Sequence, residues 1–388
     1  MRDVKLIFLS NGYGEDTIST YIIRETYKKF NEINNLKNNK ISIEILAFPL
    51  VNDGQKYKQN NIKVIGPTKI LKSSGISGIF NIKNFVNDIN DGLISFIFRQ
   101  LKFLEEFKNK ENIYLIAVGD IYPLFLSVLK NRLSKKNVIF IPTAKSYKTE
   151  PFNLIEIYFM SLVNANFVRD ELTYLKLKNK LNNVYFVGNP VLDIEYIKPD
   201  KDIFIQNNVI ILPGRKSNCL DNLHYFIKGI NLLLNKSKGF LKDLPTFSIV
   251  IPDFYPIYEI NNLINKELDK NYKDRVYVLS DKYYRYLLEN SYLVWGQAGS
   301  GNEQAAGYGL PVISFNENNW YRKRQKKLLN NCLILIKMYD IEELTKKTIE
   351  LFLNNDIYKK IQTECYKEMG SLGGATNIAN YIINNILL

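Results

Sequence analysis

The chain has 388 residues, 46% of them hydrophobic and 13% aromatic, with 52 Lys and Arg against 39 Asp and Glu for a formal net charge of +13. That length favours two domains of ordinary size over a single core. No apolar run reaches the roughly 20 residues of a membrane span, and Cys219, Cys332 and Cys365 form neither a disulfide framework nor a zinc spacing. With one histidine, His224, imidazole metal chemistry is disfavoured. The positive excess calls for an anionic partner, whether nucleic acid, lipid headgroups or a phosphorylated substrate. Nothing resembles a helix-turn-helix, an RNP strand or a zinc finger, so nucleic acid ranks last. A soluble, unprocessed, cytoplasmic protein is expected.

The apolar run Val4–Ser10 predicts a strand, followed by the glycine loop Asn11-Gly12-Tyr13-Gly14-Glu15-Asp16 and a helix from Thr17 to Phe30. Further runs at 41–47, 62–65, 114–118, 138–141, 166–168 and 184–187 alternate with helical stretches, the pattern of a parallel sheet. Residues 1–195 therefore read as one doubly wound domain. The polar stretch between Pro190 and Asn207 punctuates the chain, which restarts at Val209 and repeats the alternation through strands at 247–251, 275–279, 292–295, 312–315 and 332–336. Residues 206–365 form the second domain. The tail, 366–388, ends in a helix that can cross back onto the first. The fold class is α/β, with two Rossmann-like domains facing each other across a cleft and ligands expected outside the carboxyl ends of the strands.

The most informative stretch is Ser291–Phe315. A β-prone run breaks into Gly296, Gly299 and Gly301, enters an alanine-rich helix at Asn302, and returns through Leu310-Pro311 to a strand. Glycines let backbone approach a ligand, and a helix start offers unpaired N–H groups to phosphate. Glu303, in the first helical turn, either complements the helix dipole or accepts bonds from a sugar diol. In the first half, Asp120 projects from the strand end at Val118-Gly119. Asp16 either caps the helix at Thr17 or serves chemistry, and Glu15 is the weakest of the three carboxylates. His224, in a predicted helix among apolar neighbours, is assigned no role, packing being commoner there than catalysis. Asp200 and Asp202 imitate a metal-binding Asp-x-Asp, yet they fall in a polar linker and are rejected as a metal site.

Several motifs together resemble the lipid-A-disaccharide synthase-related family of GT-B glycosyltransferases: SNGYGEDT (10–17), VGD (118–120), FVGNPVLD (186–193), ILPGRKSN (211–218), GSGNEQAAGYGLPVI (299–313) and EMGSLGGATNIA (368–379). The resemblance implies a GT-B architecture and an inverting, metal-independent glycosyltransferase. The enzyme would move a sugar from a nucleotide sugar, UDP-linked by expectation, to a lipid or lipid-linked acceptor. It implies donor binding by Gly214, Gly299, Ser300, Gly301, Asn302, Glu303 and Gln304, with Gln325 on the sugar hydroxyls. The cation is Arg215 or Lys216, because the family pattern Pro-Gly-Ser-Arg reads Pro-Gly-Arg-Lys here. The acceptor side comprises Asn11, Gly12, Gly14 and Lys145, and the acid–base group is Asp120, ahead of Asp16 and Glu15.

Residues 69–104 combine Lys69, Lys72, Lys83, Arg99 and Lys102 with Ile76, Ile79, Phe80, Phe85, Ile94, Phe96, Ile97, Phe98 and Leu101. These residues form either a basic amphipathic surface for the anionic inner leaflet or core helices with lysines outside. Two alternatives to the transferase stay open. One is a nucleotide-sugar 2-epimerase, which needs more acid–base groups than the lone histidine supplies. The other is a non-catalytic nucleotide- or glycan-binding protein of the same fold.

Overall fold

The computed structural model describes residues 2–37, 41–68, 93–107, 110, 112–130, 137–200, 203, 205–214, 216–239, 241–252 and 255–387. The chain divides into two units, Met1–Asp193 with Leu372–Leu388, and Ile194–Ser371.

Unit 1 is built on a seven-stranded sheet of order β3-β2-β1-β4-β5-β6-β7, every described pairing being parallel. Its strands are β1 Arg2–Ser10, β2 Ile41–Pro49, β3 Lys63–Val64, β4 Ile113–Val118, β5 Val138–Ile141, β6 Ala165–Phe167 and β7 Val184–Tyr185. Helices α1 Tyr13–Lys37 and α2 Gln55–Gln59 connect the strands on one side of β1. On the other side run α3 Leu93–Glu105, α4 Ile121–Lys130, α5 Leu154–Ser161 and α6 Glu171–Leu177. Right-handed crossovers place α1 and α2 on one face and α3 to α6 on the other. The alternation of β1 agrees: Ile7 and Leu9 join Leu104, Leu124 and Met160 in one buried cluster, while Leu6 and Phe8 point to the opposite layer. Covered on both faces, the central strands read as continuous apolar runs rather than alternating ones.

Unit 2 carries a second parallel sheet of order β10-β9-β8-β11-β12-β13. These strands are β8 Val209–Leu212, β9 Phe247–Ile251, β10 Val276–Ser280, β11 Leu293–Gly296, β12 Val312–Phe315 and β13 Leu333–Ile336. Around them lie α7 Cys219–Ser237, α8 Ile257–Glu267, α9 Tyr284–Asn290, α10 Ser300–Gly307, α11 Trp320–Leu329, α12 Ile341–Leu353 and α13 Asn355–Met369. Trp295 is the largest fully buried side chain, and its indole N–H donates to Thr348 Oγ1 at 2.9 Å. The expected strands of both halves are present, with ends moved by no more than two residues except after Leu212, where the first run of unit 2 ends. Two helix starts differ from the sequence reading: α1 begins at Tyr13 and α10 at Ser300, because each glycine loop is already helical over its last residues.

The last helix of unit 1, α14 Gly374–Ile382, packs along α1. Asp193 holds its start, accepting from the Gly373 N–H at 2.7 Å and the Ala375 N–H at 2.5 Å, so one carboxylate closes two donors that helix geometry leaves open. Gly374 sits on the backbone of Gly188-Asn189-Pro190, where a Cβ would lie 2.6 Å from the Pro190 nitrogen. Two motifs about 180 residues apart in sequence therefore interlock. Gly374→Ala should lower unfolding stability by about 1–3 kcal/mol through this overpacking, read as a fall in Tm; an unchanged Tm would show that the backbones part freely.

Candidate functional site

Each unit presents a glycine turn at the carboxyl end of a central strand. In unit 2, β8 and β11 pair in parallel with Leu212 beside Gly296, so the turns that follow them lie together. Gly214 takes φ +93°, and a Cβ there would stand 2.9 Å from the Gln297 carbonyl oxygen, which only glycine tolerates. Arg215 lies outside the described residues. Lys216 opens a short 3-10 turn, Lys216–Asn218.

The turn after β11 rests on a feature the sequence reading passed over. Arg322, on α11, is 1% exposed. Its guanidinium donates to the carbonyl oxygens of Gln297 at 3.4 Å and Ala298 at 3.5 Å, to Gln297 Oε1 at 3.3 Å and to Gln325 Oε1 at 2.5 Å; Glu317 Oε1 lies 3.6 Å away. Burial lowers the Arg322 pKa and the Glu317 carboxylate opposes that shift, so the group stays cationic. Gln325 donates from Nε2 to the carbonyls of Gly299 at 2.9 Å and Ala298 at 3.4 Å. Three successive carbonyls, 297 to 299, thus point toward α11. In a trans peptide the N–H opposes the carbonyl, so the amides of Ala298, Gly299 and Ser300 point the other way. Among the described residues no hydrogen bond closes those N–H groups. The result is a row of amide donors continued by the start of α10, with a buried guanidinium behind it, an arrangement suited to an anion.

The expected donor residues separate on this turn. Ser300 is exposed and Gly301 half-buried, whereas Glu303 and Gln304 are each only 9% exposed. Asn302 is fully buried, its amide donating to the Gly296 carbonyl at 3.0 Å and Gln325 Oε1 at 3.3 Å, so its side chain holds the turn instead of facing outward. Gln325 was expected on sugar hydroxyls. Instead it is 2% exposed, with two hydrogen bonds on each end of its amide, all inside unit 2. That fills its donor and acceptor capacity. Spacing could have pointed to Arg322, which lies three residues before Gln325 on one helix face, behind an Asn319 cap.

In unit 1 the turn after β1 meets the end of β4, the two strands pairing with Ser10 beside Val118. Asn11, Gly12, Glu15, Asp16 and Asp120 are gathered here. Gly119 adopts φ +134°, with Asn11 Oδ1 so close that a Cβ would collide with it. Asp120 follows directly and accepts the Tyr122 N–H at 2.9 Å, which seats it at the start of α4. Burial raises its pKa, while the Tyr122 N–H and the Asn11 amide pull it down. Glu15 is half-buried against Gly12 and Gly119, and Gly14 is exposed with open space beside it.

Asp16 is wholly buried. The structure places it inside the first turn of α1, not before it, so the capping alternative is set aside. Ser10 Oγ donates to Asp16 Oδ1 at 2.6 Å and lies 2.7 Å from the Tyr57 hydroxyl. Burial pushes the Asp16 carboxyl up from the usual 3.8 to about 6, against smaller downward effects of Ser10 and Asn52. Asn52 faces the carboxylate, yet Asp16 Oδ2 and Asn52 Nδ2 close no hydrogen bond of good geometry. Tyr57 rises well above its ordinary pKa through burial and the neighbouring Asp16 charge.

Lys145 does not keep the free charge that an acceptor phosphate would need. Its Nζ lies 2.8 Å from both Glu156 oxygens and 3.3 Å from Glu150, and it serves as an internal pin of the loop before α5. His224 Nδ1 lies 2.7 Å from Glu267 Oε2 between α7 and α8. Of the rejected acidic pair, Asp202 lies outside the described residues. Among those described, no group of three or more His, Cys, Asp or Glu could hold a metal ion.

No family model and no curated protein matches the chain. Solved structures do. The UDP-GlcNAc 2-epimerase from Neisseria meningitidis, bound to UDP-GlcNAc, is 15% identical and aligns over 99% of both chains with a TM-score of 0.55. The UDP-GlcNAc 2-epimerase from Methanocaldococcus jannaschii is 14% identical over 98% of this chain and 99% of its own, with a TM-score of 0.53. MurG from Acinetobacter baumannii is 10% identical over 98% and 99%, with a TM-score of 0.56. These likenesses establish a two-unit α/β fold of the GT-B type. The sequence resemblance to the lipid-A-disaccharide synthase group is supported at that level of fold alone. Its functional consequence, a glycosyltransferase acting on a lipid acceptor, is corrected: UDP-GlcNAc 2-epimerases recur among the solved structures that share this fold.

Two predictions follow from the buried charges. Asp16 has a higher pKa folded than unfolded, so the folded state keeps a proton that the unfolded chain has lost between 3.8 and 6. Stability falls by about 3 kcal/mol as pH rises through that window and stays reduced above it. Asp16→Asn should therefore be more stable than the parent near pH 7, by up to about 3 kcal/mol, and lose that advantage near pH 4; denaturant titrations at the two pH values decide, and a variant less stable at both would show that the charge is structurally required. Arg322→Met should leave the buried Gln297 carbonyl without its donor, lowering stability by about 1–3 kcal/mol and weakening anion protection in thermal melts.

Proposed function

We propose that the chain is a nucleotide-sugar enzyme that inverts C2 of a UDP-linked sugar. The observations that carry the reading are, within a fold shared with UDP-GlcNAc 2-epimerases, an outward amide row in unit 2 and, in unit 1, carboxylates of raised pKa. These carboxylates are the acid–base groups that a chain with one histidine otherwise lacks.

The C2–H of a sugar is not acidic, since no carbonyl adjoins it, so its removal must be coupled to departure of the group on C1. A carboxylate takes the C2 proton, the C–H electron pair becomes the C1–C2 double bond, and the C1–O bond breaks with its electrons leaving on UDP. Re-addition of UDP to C1, with a proton delivered to the opposite face of C2, gives the epimer. Atoms and charge balance with no redox step. Asp120, at the rim of the unit 1 cluster, is the group assigned to that proton. A carboxylate raised toward neutrality accepts and returns it more readily than one of ordinary pKa. Asp16, closed in by Ser10 and Tyr57, acts through its charge and the position it gives to the β1–α1 turn, which Glu15 shares. The charge that builds on departing UDP is assigned to the amides of residues 298–300 and the start of α10, backed by Arg322, which makes a bound divalent ion dispensable. Glu303 is assigned to the ribose hydroxyls, and Gly214 with Lys216 or Arg215 to the neighbouring phosphate.

The test is UDP-GlcNAc in deuterium oxide followed by proton NMR. The C2 epimer should appear with deuterium at C2, and Asp120→Asn should slow this by about 10²–10⁴-fold while keeping the rise in Tm that UDP produces. UDP protection without any C2 exchange, across a panel of UDP-sugars, would reduce the chain to a binding protein of this fold. Absence of UDP protection would remove the nucleotide as well.

A further inference from the structure

Of the basic apolar segment expected at 69–104, residues 69–92 lie outside the described residues. Over the remainder the exposed Arg99 and Lys102 are matched by the exposed Glu105 and Glu106, so that stretch has no basic excess. Among the described residues no helix is long and apolar enough to cross a bilayer.

The turn after β11 holds a side chain that its backbone does not require. A Cβ on Gly299 would collide with the Tyr321 hydroxyl oxygen, so the phenol takes the space that any larger residue at 299 would claim. Gly299 has φ −91°, and a left-handed backbone is therefore not what calls for glycine there. The close approach of the hydroxyl is. Gly296 and Gly301 also admit side chains, but their nearest are Asn302 and Leu212, both buried in unit 2. Tyr321 is only half-buried, where Gly299 leads into the exposed Ser300.

The turn is held without this hydroxyl. The Gly299 carbonyl accepts from Gln325 Nε2 at 2.9 Å and the Asn302 N–H at 3.1 Å, and Arg322 and Gln325 take the carbonyls of Gln297 and Ala298. Consecutive residues of a helix diverge by about 100°, which separates the roles of Tyr321 and Arg322 at the start of α11. The guanidinium is spent on carbonyls, while the phenol reaches the flank of Gly299, midway along the amide row of residues 298–300. A phenol both donates and accepts, so it can donate to an anion while accepting from another group.

We propose that Tyr321 is a binding residue for the diphosphate of the nucleotide, its hydroxyl donating to a phosphate oxygen held by the amides of residues 298–300, and that Gly299 is glycine to admit it. This rests on the nucleotide reading of that turn given above. A phosphate group offers several oxygens, so one can take backbone N–H groups while another takes the phenol. Being neutral, the phenol tightens the hold on phosphate without a second cation beside Arg322, whose desolvation would be costly.

Isothermal titration calorimetry of the full chain with UDP and with inorganic pyrophosphate tests this. Tyr321→Phe keeps the ring and removes only the oxygen, so its Tm without ligand should match the parent's, while both ligands bind about 10–100-fold more weakly. Gly299→Ala, which drives a methyl group into the place of the hydroxyl, should weaken both ligands in the parent and cost little more in the Tyr321→Phe background. Equal affinities for the parent and Tyr321→Phe overturn the proposal and leave the nucleotide reading standing. So does a lower ligand-free Tm in Tyr321→Phe, which would make the hydroxyl a structural group, or fully additive losses in the double variant, which would sever Gly299 from it. A parent that binds neither UDP nor pyrophosphate overturns the proposal together with the nucleotide reading.

Discussion

The clasp between Asp193 and the start of α14 is the constraint on which unit 1 depends. The chain leaves this unit after Asp193 and re-enters it at Leu372, so one carboxylate ties exit to entrance. Hydrogen bonds to an ionised group each contribute about 1.5–3 kcal/mol, and here they also meet the positive end of a helix. Without them α14 would have to find α1 across about 180 intervening residues by apolar contact alone, and the loop-closure cost would fall on a helix of nine residues. Arg24 adds a weaker tie, donating to the Asp193 carbonyl at 3.3 Å. The layer of Leu6 and Phe8 stays covered because this closure holds, and the β1–α1 turn keeps its place because α1 is held from behind.

The two glycine turns use one backbone device with opposite electrostatics. In unit 2 the buried group is a cation, and it draws carbonyls inward so that amides are left to face outward. In unit 1 the buried group is the Asp16 carboxylate, and the Ser10 hydroxyl donates to it. A parallel sheet supplies the same strand-turn-helix geometry at every crossover, so the sign of the buried charge, not the fold, separates a turn suited to phosphate from one suited to proton transfer. That is why a GT-B scaffold tolerates such different chemistry, and why a fold-level resemblance is a poor guide to the reaction.

What was legible in the sequence follows from the same physics. Strands buried on both faces announce themselves as unbroken apolar runs, and glycine clusters mark the turns that end them, so the order of elements could be read directly. The partners of polar side chains could not. The Asp16 partner Ser10 meets Tyr57 across 47 positions, and Glu156 neutralises Lys145 from the next helix; both pairings exist only once the sheet has assembled. Gln325 looked like a ligand group because it follows a strand at a suggestive distance, yet Arg322 on the same helix consumes its acceptor. Two of the motifs that carried the family resemblance, at 186–193 and 368–379, prove to be halves of the Asp193 clasp. Their spacing recorded how the chain closes on itself and carried no information about substrate.

Asp16 shows the difference between a residue kept for structure and one kept despite it. An asparagine could accept from Ser10 with nearly the same geometry and would avoid the desolvation that raises the carboxyl to about 6. Its position in the first turn of α1 offsets part of that cost, since the helix amides favour negative charge there. The remainder is a standing loss of stability at neutral pH, which a purely structural polar network would shed by a single substitution. A turn that keeps a buried carboxylate at that cost is one that a neutral amide would hold more stably. In the proposed reaction Asp16 acts through that charge and through the place it gives the turn, while Asp120 carries the proton.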